Sequence, residues 1–122
     1  MIIREAAESL FASHCLERGF HVSFPAAAPS YDIVVDVGGY LKKVQIKTSS
    51  CIRGGKYVFD LRKSSRHGYN ESECDVMVLH PTSTELFAVL LPEDFLGKTQ
   101  FTLNMKRHNY LINNYNRLCS QK

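Results

Sequence analysis

The chain has 122 residues, a formal net charge of +3, 44% hydrophobic and 22% charged residues. That length suits one domain with a real core, residues 1–122, and excludes two. No 18-residue apolar run is present and the first residues lead straight into a polar-faced helix, so neither a membrane span nor a signal peptide is expected.

The modest net charge does not by itself imply nucleic acid; its distribution says more, although a solvated, Lys-rich hairpin would produce the same pattern. Residues 1–41 carry two basic and five acidic side chains, residues 42–69 carry eight and one, residues 70–92 none and four, and residues 93–122 five and two. A concentrated basic segment creates a field for a polyanion that the total hides. Cys15, Cys51, Cys74 and Cys119 are scattered, with no C-x-x-C pair and no His at zinc-ligand spacing, which argues against a thiolate zinc site and against a disulfide framework. Cys15 and Cys74 fall in apolar patterns and are expected in the core. An intracellular protein, cytoplasmic or in another internal compartment, is expected.

In chain order, residues 4–18 read as an amphipathic helix with Ala7, Leu10, Phe11 and Cys15 on one side and Gly19 as its stop. Residues 20–24 read as a short strand and the proline-bracketed run 25–30 as a loop. Residues 31–37 form a strand with Ile33, Val35 and Val37 on one face and Asp32, Val34 and Asp36 on the other. Gly38 and Gly39 turn the chain into an antiparallel partner over 41–48. On that partner Leu41, Lys43, Gln45 and Lys47 share a face, opposite Val44 and Ile46. A second glycine turn at 54–55 precedes a strand over 56–61, and residues 62–72 are polar, aperiodic and loop-like. Strands are expected at 74–79 and 85–91, a brief helical turn at Pro92, and a terminal helix over 107–119 that packs through Tyr110, Leu111, Asn114, Tyr115 and Leu118. The order describes an α/β domain with a mixed sheet.

The spacing D-x12-Q-x-K, Asp32 to Gln45 and Lys47, carries chemistry. Cleavage of a phosphodiester by a divalent cation needs hard oxygen ligands, open water positions and a group that handles the attacking water. Asp32 offers a carboxylate, Gln45 a neutral amide oxygen and Ile46 its main-chain carbonyl. Lys47 is placed to hold the water or to offset charge on the phosphate. Taken alone this spacing is loose, and ordinary surface pairing would also produce it.

The residues around it are more specific. Glu8 within EAAESL, Asp32 within PSYDIV, Gln45 and Lys47 within VQIKT, and the phrase GGKYVFD at 54–60 together resemble the PD-(D/E)xK nuclease superfamily. The likeness is nearest to the small branch with a cyanobacterial group I intron homing endonuclease, which uses Q-x-K, and is more distant to archaeal Holliday junction resolvases. It covers roughly residues 4–91. It implies a restriction-endonuclease-like fold, a mixed β-sheet flanked by helices, and a Mg²⁺-dependent endodeoxyribonuclease in which Mn²⁺ substitutes. It also implies Glu8 as the acid completing the site beside Asp32, Gln45, Ile46 and Lys47. Gln45 stands where Glu or Asp is usual, and Tyr31 where the motif has Pro. The alternative is a catalytically inactive nucleic-acid-binding or accessory protein with the same fold.

Lys42, Lys43, Arg53, Lys56, Arg62, Lys63, Arg66 and His67 are the expected contacts to DNA phosphates. Tyr57, Phe59 and Tyr69 would stack on bases only if exposed, and His14 and His21 are expected to be structural or solvent-facing. Cutting both strands needs two sites, so a homo-oligomer, dimer or tetramer, is expected. No membrane partner and no nucleotide cofactor are implied.

Overall fold

Three apolar side chains spaced four residues apart, Ala7, Phe11 and Cys15, seat the first helix on the core. They line the inner side of α1 (Arg4–Glu17) and are fully buried. The computed structural model describes residues 2–27, 30–63 and 67–119. After α1, Gly19 at φ 82° reverses the chain and the Phe20 amide donates back to the Cys15 carbonyl at 3.1 Å, closing the helix end. The strands follow as β1 (His21–Ser23), β2 (Ile33–Val37), β3 (Tyr40–Ser49), β4 (Ile52–Arg53), β5 (Lys56–Asp60), β6 (Val76–Pro81) and β7 (Ala88–Leu90). The short helix α2 (Pro92–Phe95) and β8 (Gln100–Leu103) come next.

Five strands form one sheet in the order β1-β2-β3-β6-β7, and β4-β5-β8 form a second. Within the larger sheet only β3 and β6 run parallel, from Val44 opposite Val76 to Ser49 opposite Pro81. The architecture is a mixed sheet flanked by helices, as the restriction-endonuclease-like expectation has it. Strand β6 is buried along its entire length because both of its faces are covered. On one face Val76 and Val78 join Ile33, Val35, Val44, Ile46 and Val89 under α1. On the other, Met77 and Leu79 meet Phe59 and Leu61, with Leu103 and Phe95 in the same cluster. Each fully buried side chain of this size contributes about 1.5–3 kcal/mol relative to exposure. Cys15 and Cys74 are core residues, as expected, and burial pushes both thiols up to about 12.

Several boundaries differ from the sequence reading. The strands expected at 74–79 and 85–91 lie at Val76–Pro81 and Ala88–Leu90. The terminal helix over 107–119 does not form. In its place are two 3₁₀ turns, Asn109–Leu111 and Tyr115–Cys119, separated by Asn113 at φ 51°. The open edge of the sheet explains this. Asn113 donates its amide to the Phe87 carbonyl at 2.6 Å and accepts the Phe87 amide on its side-chain oxygen at 3.0 Å, while Ile112 bridges Ala88. A continuous helix would leave those edge groups unpaired. Leu111, Tyr115 and Leu118 are buried as expected, whereas Tyr110 is 57% exposed. Among the described residues, no helix is long and apolar enough to cross a membrane.

Candidate active site and nucleic-acid interface

The site arises where β2 and β3 part. Their pairing ends with Ile33 opposite Val44. Beyond it, Asp32 still donates its amide to the Val44 carbonyl at 2.9 Å, but its chain then turns away. The next outward-facing group of β3, the Ile46 amide, has no strand opposite it, and the Asp32 carboxylate takes that place at 3.0 Å. In a strand the N–H and C=O of one residue point to the same side. The Ile46 carbonyl is therefore presented at the same gap as the Asp32 carboxylate, where it accepts the Gln45 side-chain amide at 3.3 Å. Asp32, Gln45 and the Ile46 main chain thus meet in one place for a reason internal to the sheet.

A cleft of about 480 Å³ opens there, lined by Arg4, Ser30, Asp32, Gln45, Lys47, Lys63 and Tyr69. Lys47, on the same face of β3 as Gln45, extends its ammonium to the Arg62 carbonyl at 2.9 Å and lies 5.2 Å from the Tyr69 ring centre. Burial lowers the Lys47 pKa, and the charges of Asp60 and Asp32 oppose that shift. Glu8 is beside the cleft, on the first turns of α1, with Arg4 3.9 Å from its carboxylate. Its pKa is raised, first by burial and then by the Asp32 charge. Two carboxylates that repel each other beside a main-chain carbonyl, with an amide that can turn its oxygen toward them, make a hard, electron-rich donor set that fits Mg²⁺. Among the described residues no group of three or more His, Cys, Asp or Glu is placed to hold a metal ion. Here half of the oxygens would come from Gln45 and the backbone.

The chain's likeness to known proteins agrees with this geometry. The model of the PD-(D/E)XK endonuclease family matches residues 3–116. The chain belongs to this family. The chain is also similar in structure to a solved bacterial homing endonuclease, I-Ssp6803I, to which it is 26% identical. That match covers 93% of this chain and 88% of the other, with a TM-score of 0.79. No curated protein matches the chain.

The structure brings Asp32, Gln45 and Lys47 to one cleft, as their spacing predicts, but several residues around them were not legible in the sequence. Arg4 and Ser30 join the cleft only through the fold, and the single advance signal was the i,i+4 spacing of Arg4 and Glu8. Tyr69 was considered only as a base-stacking residue. At 4% exposed it cannot stack on DNA bases, and its ring lies against the cleft instead. Burial, with Cys74, Asp32 and Glu73, pushes its hydroxyl up to about 12. Gly68 explains how the Tyr69 segment reaches so deep: a Cβ there would stand 2.5 Å from the Lys98 carbonyl, so only glycine lets the two backbones touch. Phe59 is fully buried and Tyr57 bonds Ser83 at 2.9 Å through its hydroxyl. His14 is structural, 2.6 Å from the Tyr115 hydroxyl, and His21 is exposed.

The expected phosphate contacts divide into groups. Lys63 lines the cleft and is paired with Glu73. Lys43 shares the face of Gln45 and Lys47 and donates to the Ser72 carbonyl at 2.6 Å. Arg62 grips Asp60 through two nitrogens at 2.9 and 2.6 Å and donates its own backbone amide to the same carboxylate. Arg53 and Lys56 are exposed at the turn joining β4 and β5, and His67 is exposed beside Lys63. Lys42 departs from the expectation. It opposes Val35, so it falls on the α1 face of the sheet, and it is only 7% exposed. The one-residue alternation of a strand puts neighbouring Lys42 and Lys43 on opposite faces. Arg66 lies outside the described residues.

Proposed function

We propose that this chain is a metal-dependent endonuclease that hydrolyses phosphodiester bonds in duplex or branched DNA, as a single nuclease domain over residues 1–122. The observation that carries the reading is the convergence of Asp32, Gln45, the Ile46 carbonyl and Lys47 on one cleft, with Glu8 beside it and a run of cations along its rim. The homing-endonuclease description of a relative that aligns over most of both chains supports DNA as the substrate.

Asp32, Gln45, Ile46 and Glu8 would hold Mg²⁺, or Mn²⁺ in its place. When bound, the cation supplies Lewis-acid polarisation of the phosphate and a more acidic water. The chain's own groups do the rest. Lys47, anchored by Arg62 and Tyr69, is the cation available to orient the attacking water or to stabilise charge developing on the phosphate. Lys43, Arg53, Lys56, Arg62, Lys63 and His67 hold the DNA backbone, with Arg66 in the same segment. Lys42, being buried, is left out of this surface. Cleavage of both strands would be met by a homo-oligomer, dimer or tetramer, in an intracellular compartment that holds DNA. No nucleotide cofactor or membrane enters the scheme.

A second reading, a binding protein with no cleavage, is favoured by one observation: Gln45 offers the metal a neutral oxygen where a carboxylate would bind more strongly. One assay separates the two. Supercoiled plasmid and branched DNA are incubated with Mg²⁺ or Mn²⁺ and the parent chain, Asp32→Ala or Lys47→Ala. The parent should nick or linearise the DNA. Each variant should lose on the order of 10²–10⁴ in rate while still binding duplex. A folded parent that binds DNA but leaves it intact with either cation would establish the second reading.

A further inference from the structure

Two of the loop's expected phosphate contacts are already occupied by carboxylates of the same chain. Asp60 receives the Arg62 guanidinium in a two-pronged contact, the geometry an arginine also uses on a phosphate. Glu73 receives the Lys63 ammonium. Both acids are also held by backbone amides. Asp60 also accepts the Arg62 backbone amide at 2.9 Å, and Glu73 accepts the Asn70 backbone amide at 2.8 Å. Both are therefore presented in fixed places, one on each side of the segment that borders the cleft. The Asp60 carboxyl is held at about 2, chiefly by the Arg62 hydrogen bonds, and Glu73 is lowered in the same way by Lys63, so both are ionised at neutral pH.

We propose that Asp60 and Glu73 are internal stand-ins for DNA phosphates that keep Arg62 and Lys63 closed until a nucleic-acid backbone displaces them. The inference rests on the endonuclease reading and adds a regulatory element to that site. The lock lowers affinity for any polyanion, because each phosphate contact must first break an ion pair. It also reaches the cleft directly. The Arg62 whose side chain is held by Asp60 is the residue whose carbonyl holds the Lys47 ammonium. Exchange of Asp60 for a phosphate therefore acts on the same residue that anchors Lys47.

The amide isosteres test this cleanly, since an amide oxygen still accepts the backbone bonds that shape the turn. Binding of the parent, Asp60→Asn and Glu73→Gln to a fluorescent duplex is measured by anisotropy, without divalent metal, over a salt series. Glu71→Gln serves as the charge control: Glu71 is exposed in the same turn and has no ion pair among the described residues. Removing a carboxylate that competes at contact distance should tighten binding about three- to tenfold for Asp60→Asn and for Glu73→Gln, and less than twofold for Glu71→Gln. The gain from Asp60→Asn should vanish when Arg62→Gln is present in both members of the comparison. Equal tightening in all three variants would assign the effect to bulk charge and overturn the lock. Unchanged or weaker binding by folded Asp60→Asn and Glu73→Gln would overturn it as well. A parent that binds no duplex even at low salt overturns both this inference and the endonuclease reading. A binding parent with a failed variant pattern overturns this inference alone.

Discussion

Gln45 shows how a single side chain fixes the behaviour of a site. Its amide donates to the Ile46 carbonyl, so two of the proposed metal oxygens are tied together through a hydrogen bond that a cation would replace. Turning the amide over aims its oxygen where its N–H now lies, beside a carbonyl that repels it, and only a cation between the two makes that arrangement favourable. Substituting Gln45→Glu removes the donor altogether and adds a charge near Asp32. The variant should need roughly tenfold less Mg²⁺ for half-maximal cleavage, and without cation it should be less stable than the parent by about 1–2 kcal/mol. Metal titrations of cleavage and of urea unfolding check both halves, and identical titrations for parent and variant would remove Gln45 from the ligand set. Residues of this kind were legible in advance because their geometry is local. Asp32, Gln45 and Lys47 sit on two adjoining strands, so their spacing already places them together. Tyr69, Arg4 and Ser30 reach the cleft through contacts that no short window of sequence contains.

Among elements, the segment after β8 is the instructive case. Its apolar residues recur at helical spacing, and three of them are indeed buried, yet the backbone is not an α-helix. Periodicity reports which side chains face the core, and here it did so correctly at Leu111, Tyr115 and Leu118. It does not report what the backbone owes its neighbours. The outer edge of β7 needs partners, and Asn113 supplies both for Phe87 from a left-handed conformation that Asn tolerates better than most residues. Asn113→Ala should therefore destabilise the protein by about 1–3 kcal/mol, through a buried Phe87 amide left unpaired together with backbone strain. Asn113→Gly should recover only the strain part. Equilibrium urea unfolding of the three proteins would show that order, and an Asn113→Ala variant as stable as the parent would mean that solvent satisfies the edge. The hairpin of β2 and β3 was readable because two glycines and strict alternation defined it. The lengths of β6 and β7 were not, since uninterrupted apolar runs carry no signal for where pairing stops.

At the scale of the whole molecule, β6 is the common wall of both cores, and its parallel pairing with β3 joins residues 44–49 to residues 76–81. A parallel pair cannot be closed by a tight turn, so this contact is made across a long intervening stretch. Forming it unites the helix-covered face with the face covered by the second sheet. Val78→Ala, which thins that shared wall, should slow refolding several-fold, while Asn113→Ala, at the periphery, should act mainly by speeding unfolding. Stopped-flow refolding and unfolding limbs in urea distinguish the two, and a Val78→Ala variant that refolds at the parental rate would place the pairing after the rate-limiting step.

The same pairing has a consequence for a chain still emerging from the ribosome. Asp32, Gln45 and Lys47 lie close together in the chain and are synthesised in quick succession, so the hairpin bearing them can close at once. Strand β6 arrives some thirty residues later, and with it the support beneath β3; Tyr69 and the Asn70–Glu73 turn that flank the cleft also come after the motif. Until then the nascent chain carries Asp32, Gln45 and Ile46 on an unsupported ribbon, and a lone hairpin is at best marginally stable in water. A protein of this design passes through its own synthesis with the proposed site residues made early and the platform that aims them made late.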